Sequence, residues 1–236
     1  MMFRGFLRWC AARPEYRSAT DRDAGRAAAI VEALPQVTKR TDCLEVAQLP
    51  GWFGGVDKLA NRTVATYLKG LLLTGARREE LAAIKWTHVD FRWKKLTIAD
   101  NIDDTRVIPL TPHFAHLLTS LPRINDFVFA SDGKSGHIVD PRASHCQVLR
   151  DAGIDRLTIH GLRRSFSLLG EGAGAPAGAI AQVMGHKPSG TAEGYRPRSL
   201  DVLRPFSNQI EGHILEKAGI VFDAKAEPSN LRVVAA

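Results

Sequence analysis

The sequence predicts an α+β fold that is mostly helical and contains one small antiparallel β-sheet. From about residue 44, apolar residues recur at helical spacing through most of the chain. Near the middle, the runs "HVDF", "KKLTIAD" and "TRVIPL" are short, alternating or apolar, and separated by turn residues, which is typical of strands. Hydrophobic residues make up 44% of the chain and charged residues 24%, the ordinary balance of a globular protein.

The sequence of residues 1–40 predicts short helices, but it contains too few apolar residues to form a hydrophobic core of its own. The stretch "FRGFLRWCAA" is amphipathic, and "DRDAGRAAAIVEAL" is an alanine-rich helix with acidic residues at its start. The following "PQVTKRTD" has the composition of a linker. Arginines interrupt the apolar start of the chain, so we do not expect a signal peptide.

The helical patterns beyond the linker begin with "TVATYLKGLLLTGARREELAAI", which predicts two helices that meet near Gly75. Four more helical patterns follow the strands: "PHFAHLLTSL", "DPRASHCQVLRDAG", "HGLRRSFSLLGEG" and "PAGAIAQVMGH". In the last helix, Leu203, Phe206, Ile210 and Ile214 form an apolar stripe. Pro205 lies near its start or kinks it. We expect residues 222–236 to be a flexible tail.

The net charge and the cysteine content of the chain indicate which kinds of partner and cofactor to expect. The formal net charge is +7 and the pI about 9.6, which favours a polyanionic partner such as double-stranded DNA. Three widely spaced cysteines without a CxxC pair indicate reduced thiols, so we expect neither a metal site nor a cofactor. No run of about 18 apolar residues is present, and we expect a bacterial cytoplasmic protein without a membrane segment.

Two motifs concentrate groups that bind phosphate. In "LLLTGARREEL", Arg77 follows the helix junction, and Glu80, three residues later, is spaced to hold the arginine. The alternative is a solvated surface pair, which this motif alone favours. In "TIHGLRRSF", His160 and Arg163 share one face of a helix, so a proton-transfer group would lie beside a phosphate-binding arginine.

A third motif, "MGHKPSGTAEGYRPR", contains Gly185, His186 and Tyr195. A free tyrosine has a pKa near 10, and neighbouring guanidinium groups favour its phenolate. Alone, such a tyrosine is more often a surface or half-buried aromatic. In the order R…HxxR…GH…Y, the motifs predict a metal-free phosphoryl-transfer site, because arginines can neutralise the charge that develops on the phosphate.

These ordered motifs resemble the catalytic boxes of the tyrosine recombinases, the phage integrase family, and in particular prophage-type integrases of proteobacteria. The resemblance covers roughly residues 44–220. It implies that Tyr195 attacks the scissile phosphate and forms a 3′-phosphotyrosyl link while a 5′-hydroxyl leaves. It implies further roles for four groups: Arg77 and Arg163 clamp the phosphate, His160 assists with the proton, and His186 donates to a non-bridging oxygen. Glu80 would support the arrangement.

The resemblance also implies a domain organisation and partners. Residues 1–40 would be a remnant or tail of a core-binding region, residues 41–221 the catalytic domain, and residues 222–236 the tail. We expect a homo-oligomer on DNA, formed through the C-terminal helix. The apolar stripe of that helix fits packing within the chain equally well.

The chain departs from the family pattern at two places. The family carries a general-acid lysine in the β-hairpin, and the matching position here is Asn101, eight residues before Pro109. An amide cannot supply an ammonium proton, and neighbouring aspartates repel DNA phosphates. The leading segment is also short, so fewer phosphate contacts predict weaker DNA binding.

Three other interpretations therefore stay open at this point. The chain could be a catalytically impaired integrase remnant that binds DNA or oligomerises, which Asn101 favours. It could be a type IB topoisomerase, although the short tyrosine box and the C-terminal helix favour a recombinase. A metal-dependent hydrolase fits least well, because the histidines lack paired ligand spacing.

Overall fold

The computed structural model describes residues 2–26, 42–101, 104–186 and 198–223. The chain divides into two compact units, Met1–Arg40 and Thr41–Ala236. The first contains helices α1 (Met2–Ala11) and α2 (Pro14–Arg17) and a 3-10 turn at Ala24–Arg26. Most of the predicted alanine-rich helix and its linker lie outside the described residues. The identity of this unit as a core-binding remnant stays a prediction.

The second unit is mostly helical, as predicted. Its helices are α3 (Leu49–Asp57), α4 (Arg62–Thr74), α5 (Arg78–Ala82), α6 (Pro112–Thr119), α7 (Arg142–Ala152), α8 (Ile159–Gly172), α9 (Ala177–Met184) and α10 (Leu200–Lys217). Single 3-10 turns lie at Val46–Gln48 and Trp86–His88. The strands β1 (Val89–Asp90), β2 (Lys95–Asn101) and β3 (Asp104–Pro109) come between α5 and α6.

Helix α4 is the centre of the core. The side chain of Asn61 caps its start by accepting the Val64 N–H at 3.0 Å. Every residue from 64 to 74 is buried, so this helix is enclosed on all sides. It ends at Gly75 in the left-handed conformation, with φ 61°. A Cβ there would lie 2.5 Å from Phe166, so the junction with the next helix requires glycine.

The three strands form an antiparallel sheet in the order β1-β2-β3, which confirms the predicted small sheet. At one end of the β2–β3 hairpin, Asn101 pairs with Asp104; at the other end, Lys95 pairs with Pro109. Leu96, Ile98 and Ile108 are buried on one face of the sheet. Alternation therefore places Arg106, two residues before Ile108, on the same inner face.

The apolar stripe of α10 packs within its own chain. Leu203, Ile210 and Ile214 are buried in the common core, and Phe206 packs against it half-buried. The buried carboxylate of Glu211 accepts the N–H groups of His113 and Phe114 at 2.8 and 3.0 Å and so caps the start of α6. Of the two uses predicted for the stripe, packing within the chain is the one observed. Among the described helices, none is both long and apolar enough to span a bilayer.

Candidate active site

Arg77 lies at the junction between α4 and α5, as the N-cap residue of α5. Its backbone N–H donates to Glu80 Oε2 at 3.1 Å, and its guanidinium forms an ion pair with Oε1 of the same carboxylate. The Glu80 side chain is only 9% exposed, whereas Arg77 is 42% exposed. The interpretation of Arg77 and Glu80 as a solvated surface pair is therefore wrong. The buried carboxylate of Glu80 holds Arg77, whose side chain remains partly accessible.

A second arginine, which the sequence analysis missed, completes this cluster. Arg106 on β3 donates from Nη2 to Glu80 Oε2 at 2.7 Å and from Nε to the Val183 carbonyl at 3.3 Å. Burial tends to raise the pKa of Glu80, but hydrogen bonds from Arg106 and Arg77 outweigh it and lower the pKa below its usual value. The strand alternation in "TRVIPL" was the available signal, since it directs Arg106 inward.

The buried side chain of Arg163 forms hydrogen bonds with the ends of two helices. It is 4% exposed, and its Nη1 donates to the carbonyls of Gly75 and Met184 at 2.6 and 2.8 Å. Gly75 ends α4 and Met184 ends α9, so one guanidinium binds the exits of two helices. Such buried, charge-assisted hydrogen bonds hold the guanidinium in one orientation.

His160 lies in the first turn of α8, which Thr158 caps by accepting the Gly161 N–H at 3.0 Å. Its ring is exposed, in contrast to Arg163. Partial burial and the charges of Arg164 and Arg163 lower its pKa below the ordinary histidine value. This shift favours the neutral imidazole, the state that accepts a proton.

His186 follows the left-handed Gly185, which has φ 76°. Arg77 Nη2 donates to the Gly185 carbonyl at 3.4 Å, so the first and third motifs are in contact. A Cβ on Gly185 would lie 2.7 Å from Arg106 Nη1, and this close approach requires glycine. Partial burial and the charges of Arg163 and Arg77 lower the pKa of His186.

These groups line a single open pocket. Its walls include Arg77, His160, Arg163, Arg164, Met184 and His186. Four of the five residues predicted to be catalytic therefore meet, although they are up to 109 positions apart in sequence, from 77 to 186. Tyr195 lies outside the described residues. In the described part of the chain, no cluster of three or more His, Cys, Asp or Glu side chains could hold a metal ion.

The hairpin contains no lysine near its turn in the sequence. Asn101, the predicted position of the family lysine, ends β2 and pairs with Asp104. Lys95 lies at the opposite end of the hairpin, where its ammonium is 3.6 Å from Asp90. Lys94 occupies the turn before β2 with φ 47°. The register therefore places neither lysine at the position of Asn101.

Structural comparison finds chains of the same fold. The integrase from mycobacterium phage Brujita has a TM-score of 0.59 and 17% identity, over 91% of this chain and 73% of that chain. A lambda integrase(75-356) dimer bound to a COC′ core site has a TM-score of 0.53 and 14% identity, over 84% and 74%. The XerH site-specific recombinase bound to difH substrate gives 0.53 and 18%, over 78% and 54%.

Sequence comparison identifies a relative of higher identity. The chain is 42% identical over 228 residues to the prophage integrase IntF of Escherichia coli K12. The alignment covers 93% of this chain and 49% of IntF, so the chain spans about half of the length of that relative. The family model "Phage integrase family" matches residues 56–199, which is more than half of the chain and includes all the predicted catalytic residues. The chain therefore belongs to the phage integrase family.

Proposed function

We propose that this chain is the catalytic part of a site-specific DNA recombinase, which cuts and rejoins DNA through a 3′-phosphotyrosyl intermediate at Tyr195. The observation that carries the proposal is the convergence of Arg77, Arg163, His160 and His186 on one pocket. A basic chain with a pI of about 9.6 supports DNA as the substrate. Family membership agrees with both.

The chemistry follows from the charges in the pocket. The Tyr195 phenol oxygen attacks phosphorus, the bond from phosphorus to the 5′-oxygen breaks, and the 5′-oxygen leaves as a hydroxyl after taking a proton from water. Arg77 and Arg163 bind the non-bridging oxygens and neutralise the charge of the transition state. Neutral His160 accepts the phenol proton, and His186 donates a hydrogen bond to the phosphate. Rejoining is the reverse reaction with a new 5′-hydroxyl. No metal or cofactor enters the scheme.

Glu80 acts through the arginines in this scheme. Its buried carboxylate forms ion pairs with both Arg77 and Arg106. The negative charge of the carboxylate offsets the repulsion between the two guanidinium groups. The carboxylate stays ionised because its pKa is lowered. We therefore assign Glu80 a supporting role rather than a step of its own.

The proposed partners are double-stranded DNA and further copies of the chain. The comparison structures include recombinases bound to DNA, among them a lambda integrase dimer and a tetramer on a Holliday junction. If copies meet through α10, they use its outer face, where Val202 is 49% exposed, because Leu203, Ile210 and Ile214 are buried in the same chain.

A catalytically impaired remnant is the second candidate. The observation that favours it is the hairpin register, which places Asn101 rather than a lysine beside the turn. Loss of a general acid costs roughly 10²- to 10⁴-fold in rate. Such a protein would still bind DNA through its arginines.

Covalent trapping distinguishes the two candidates. The full chain is incubated with a nicked DNA, from which the short fragment that carries the new 5′-hydroxyl diffuses away after cleavage. Covalent complexes are then resolved on a denaturing gel. We expect a covalent band that disappears in Tyr195→Phe and persists in the matched control Tyr16→Phe, since Tyr16 is an exposed residue of the first unit. DNA binding without any covalent band would support the remnant and contradict the recombinase.

A further inference from the structure

The first described residues of the second unit run along α8, the helix that carries His160 and Arg163. Asp42 Oδ2 accepts both the backbone N–H and the hydroxyl of Thr158, each at 2.7 Å. Two residues later, the Leu44 N–H donates to Ser165 Oγ at 2.7 Å. Asp42 therefore binds Thr158, the residue that caps α8, across 116 positions of sequence.

Asp42 also binds the arginine that follows Arg163. Arg164 Nε donates to the main-chain oxygen of Asp42 at 3.0 Å, and its Nη2 forms an ion pair with Oδ1. The Asp42 side chain is 9% exposed and Arg164 26%. Because Arg164 also lines the pocket, Asp42 determines where this additional positive charge lies.

Gly161 makes the close approach possible. A Cβ at this position would lie 2.8 Å from Asp42 Oδ2 and 3.0 Å from the Asp42 carbonyl oxygen. Both separations are tighter than almost any that a real Cβ atom makes, and the added Cβ would also lie 2.7 Å from Leu157 Cδ1. The residue next to His160 is therefore suited to contact with Asp42, independently of the hydrogen bonds.

We propose that Asp42 is a positioning residue for the pocket: it holds the first turn of α8 and the guanidinium of Arg164, and thereby sets the charge around His160. The function of the pocket in this inference rests on the proposed recombinase activity. The contacts themselves do not depend on that activity, so the two can be tested separately.

The electrostatic consequence has a definite sign. Four positively charged or titratable groups face His160, namely Arg77, Arg163, Arg164 and His186, and the three arginines lower its pKa. Asp42 acts in the opposite direction and raises it. Removing the Asp42 charge should therefore lower the His160 pKa further, and removing the Arg164 charge should raise it.

The direct test is an NMR titration of the His160 ring in the full chain, assigned by its loss in His160→Gln. Asp42→Asn should move the His160 midpoint to lower pH, and Arg164→Gln should move it to higher pH. The double variant should return toward the parent, because the two changes oppose each other. Asp155→Asn is the matched control: Asp155 is exposed and precedes the same helix, and it should leave the midpoint unchanged.

Cleavage supplies the second readout. Asp42→Asn should slow covalent trapping about tenfold at neutral pH while DNA affinity stays within about twofold of the parent. Gly161→Ala, whose added Cβ would crowd both Asp42 and Leu157 without removing the charge of Asp42, should slow trapping in the same way. An unchanged His160 titration in folded Asp42→Asn would overturn the inference. If the parent formed no covalent complex, the recombinase proposal would fail, and the titration would still decide the role of Asp42.

Discussion

Arg77 and Arg163 are held in a different way from the two histidines of the pocket. Arg163 is buried and donates to two carbonyls, and Arg77 is paired with a buried carboxylate. His160 and His186 are exposed, and their pKa values are lowered by partial burial and by the arginines. The two arginines are therefore held by other parts of the chain, whereas the two histidines lie at the surface and line the pocket.

This difference implies that arginine substitutions affect both stability and activity, whereas histidine substitutions affect activity alone. The carbonyl oxygens of Gly75 and Met184 both accept hydrogen bonds from Arg163. An unsatisfied buried polar group costs about 1–3 kcal/mol. We expect no comparable loss of stability when the exposed imidazoles of His160 and His186 are removed.

Arg163→Ala should give the largest loss. We expect the free energy of unfolding to fall by about 3 kcal/mol and covalent trapping to fall by at least about 10³-fold. Denaturant unfolding and suicide-substrate trapping measure the two effects. Arg163→Lys is the control: it restores the charge but not the paired contacts. If Arg163→Ala unfolds like the parent, the guanidinium does not hold the two helix ends together.

Asn101→Lys tests whether a lysine in the β2–β3 hairpin supplies the proton donor. A lysine beside the turn would supply the general acid, so we expect cleavage to rise by about 10²-fold without a change in unfolding free energy. The matched control is Thr105→Lys, which adds the same charge on β3 in an exposed position. An unchanged cleavage rate in Asn101→Lys, or an equal rise in the control, would contradict the assignment of this position.

Arg106→Gln should destabilise the chain by about 2 kcal/mol at pH 7, because Glu80 loses a charge-assisted hydrogen bond. The folded-state pKa of Glu80 is lowered from 4.5, so its stabilising contribution is present above that value and lost as the pH falls through the lowered pKa. The variant should therefore show a weaker dependence of stability on pH in the acid range. Denaturant unfolding at several pH values measures it.

Exposed Arg156 provides the control for that experiment. Arg156→Gln removes the same charge from the chain and should leave both the stability and its pH dependence unchanged. An equal loss of stability in the two variants would mean that the effect of Arg106 comes from net charge and not from Glu80.

Sequence patterns predicted the sheet and most helices of the second unit, because these elements are strongly periodic, but they did not predict α3 (Leu49–Asp57). Four of the five predicted catalytic residues line the pocket, because the motifs that contain them are compact. Arg77 and Glu80 are three residues apart, as are His160 and Arg163, so helical spacing is enough to group them. The burial of Glu80 did not follow from that spacing, because it depends on contacts made by other elements.

Arg106 and Asp42 were missed for a different reason. Their partners lie on other elements: Arg106 binds Glu80 across 26 positions, and Asp42 binds Arg164 across 122. Strand alternation directs Arg106 inward but does not name its partner. Asp42 lies in a stretch that has linker composition, where no periodicity indicates that a side chain will bind a distant helix.

In the proposed mechanism, Tyr195 is the residue that becomes linked to DNA. The most direct measurement is tandem mass spectrometry of the trapped covalent complex after digestion of both protein and DNA. We predict a nucleotide linked through its 3′-phosphate to Tyr195. A nucleotide on Tyr16, Tyr67 or any other residue, or a cleaved DNA with no protein adduct, would contradict the account.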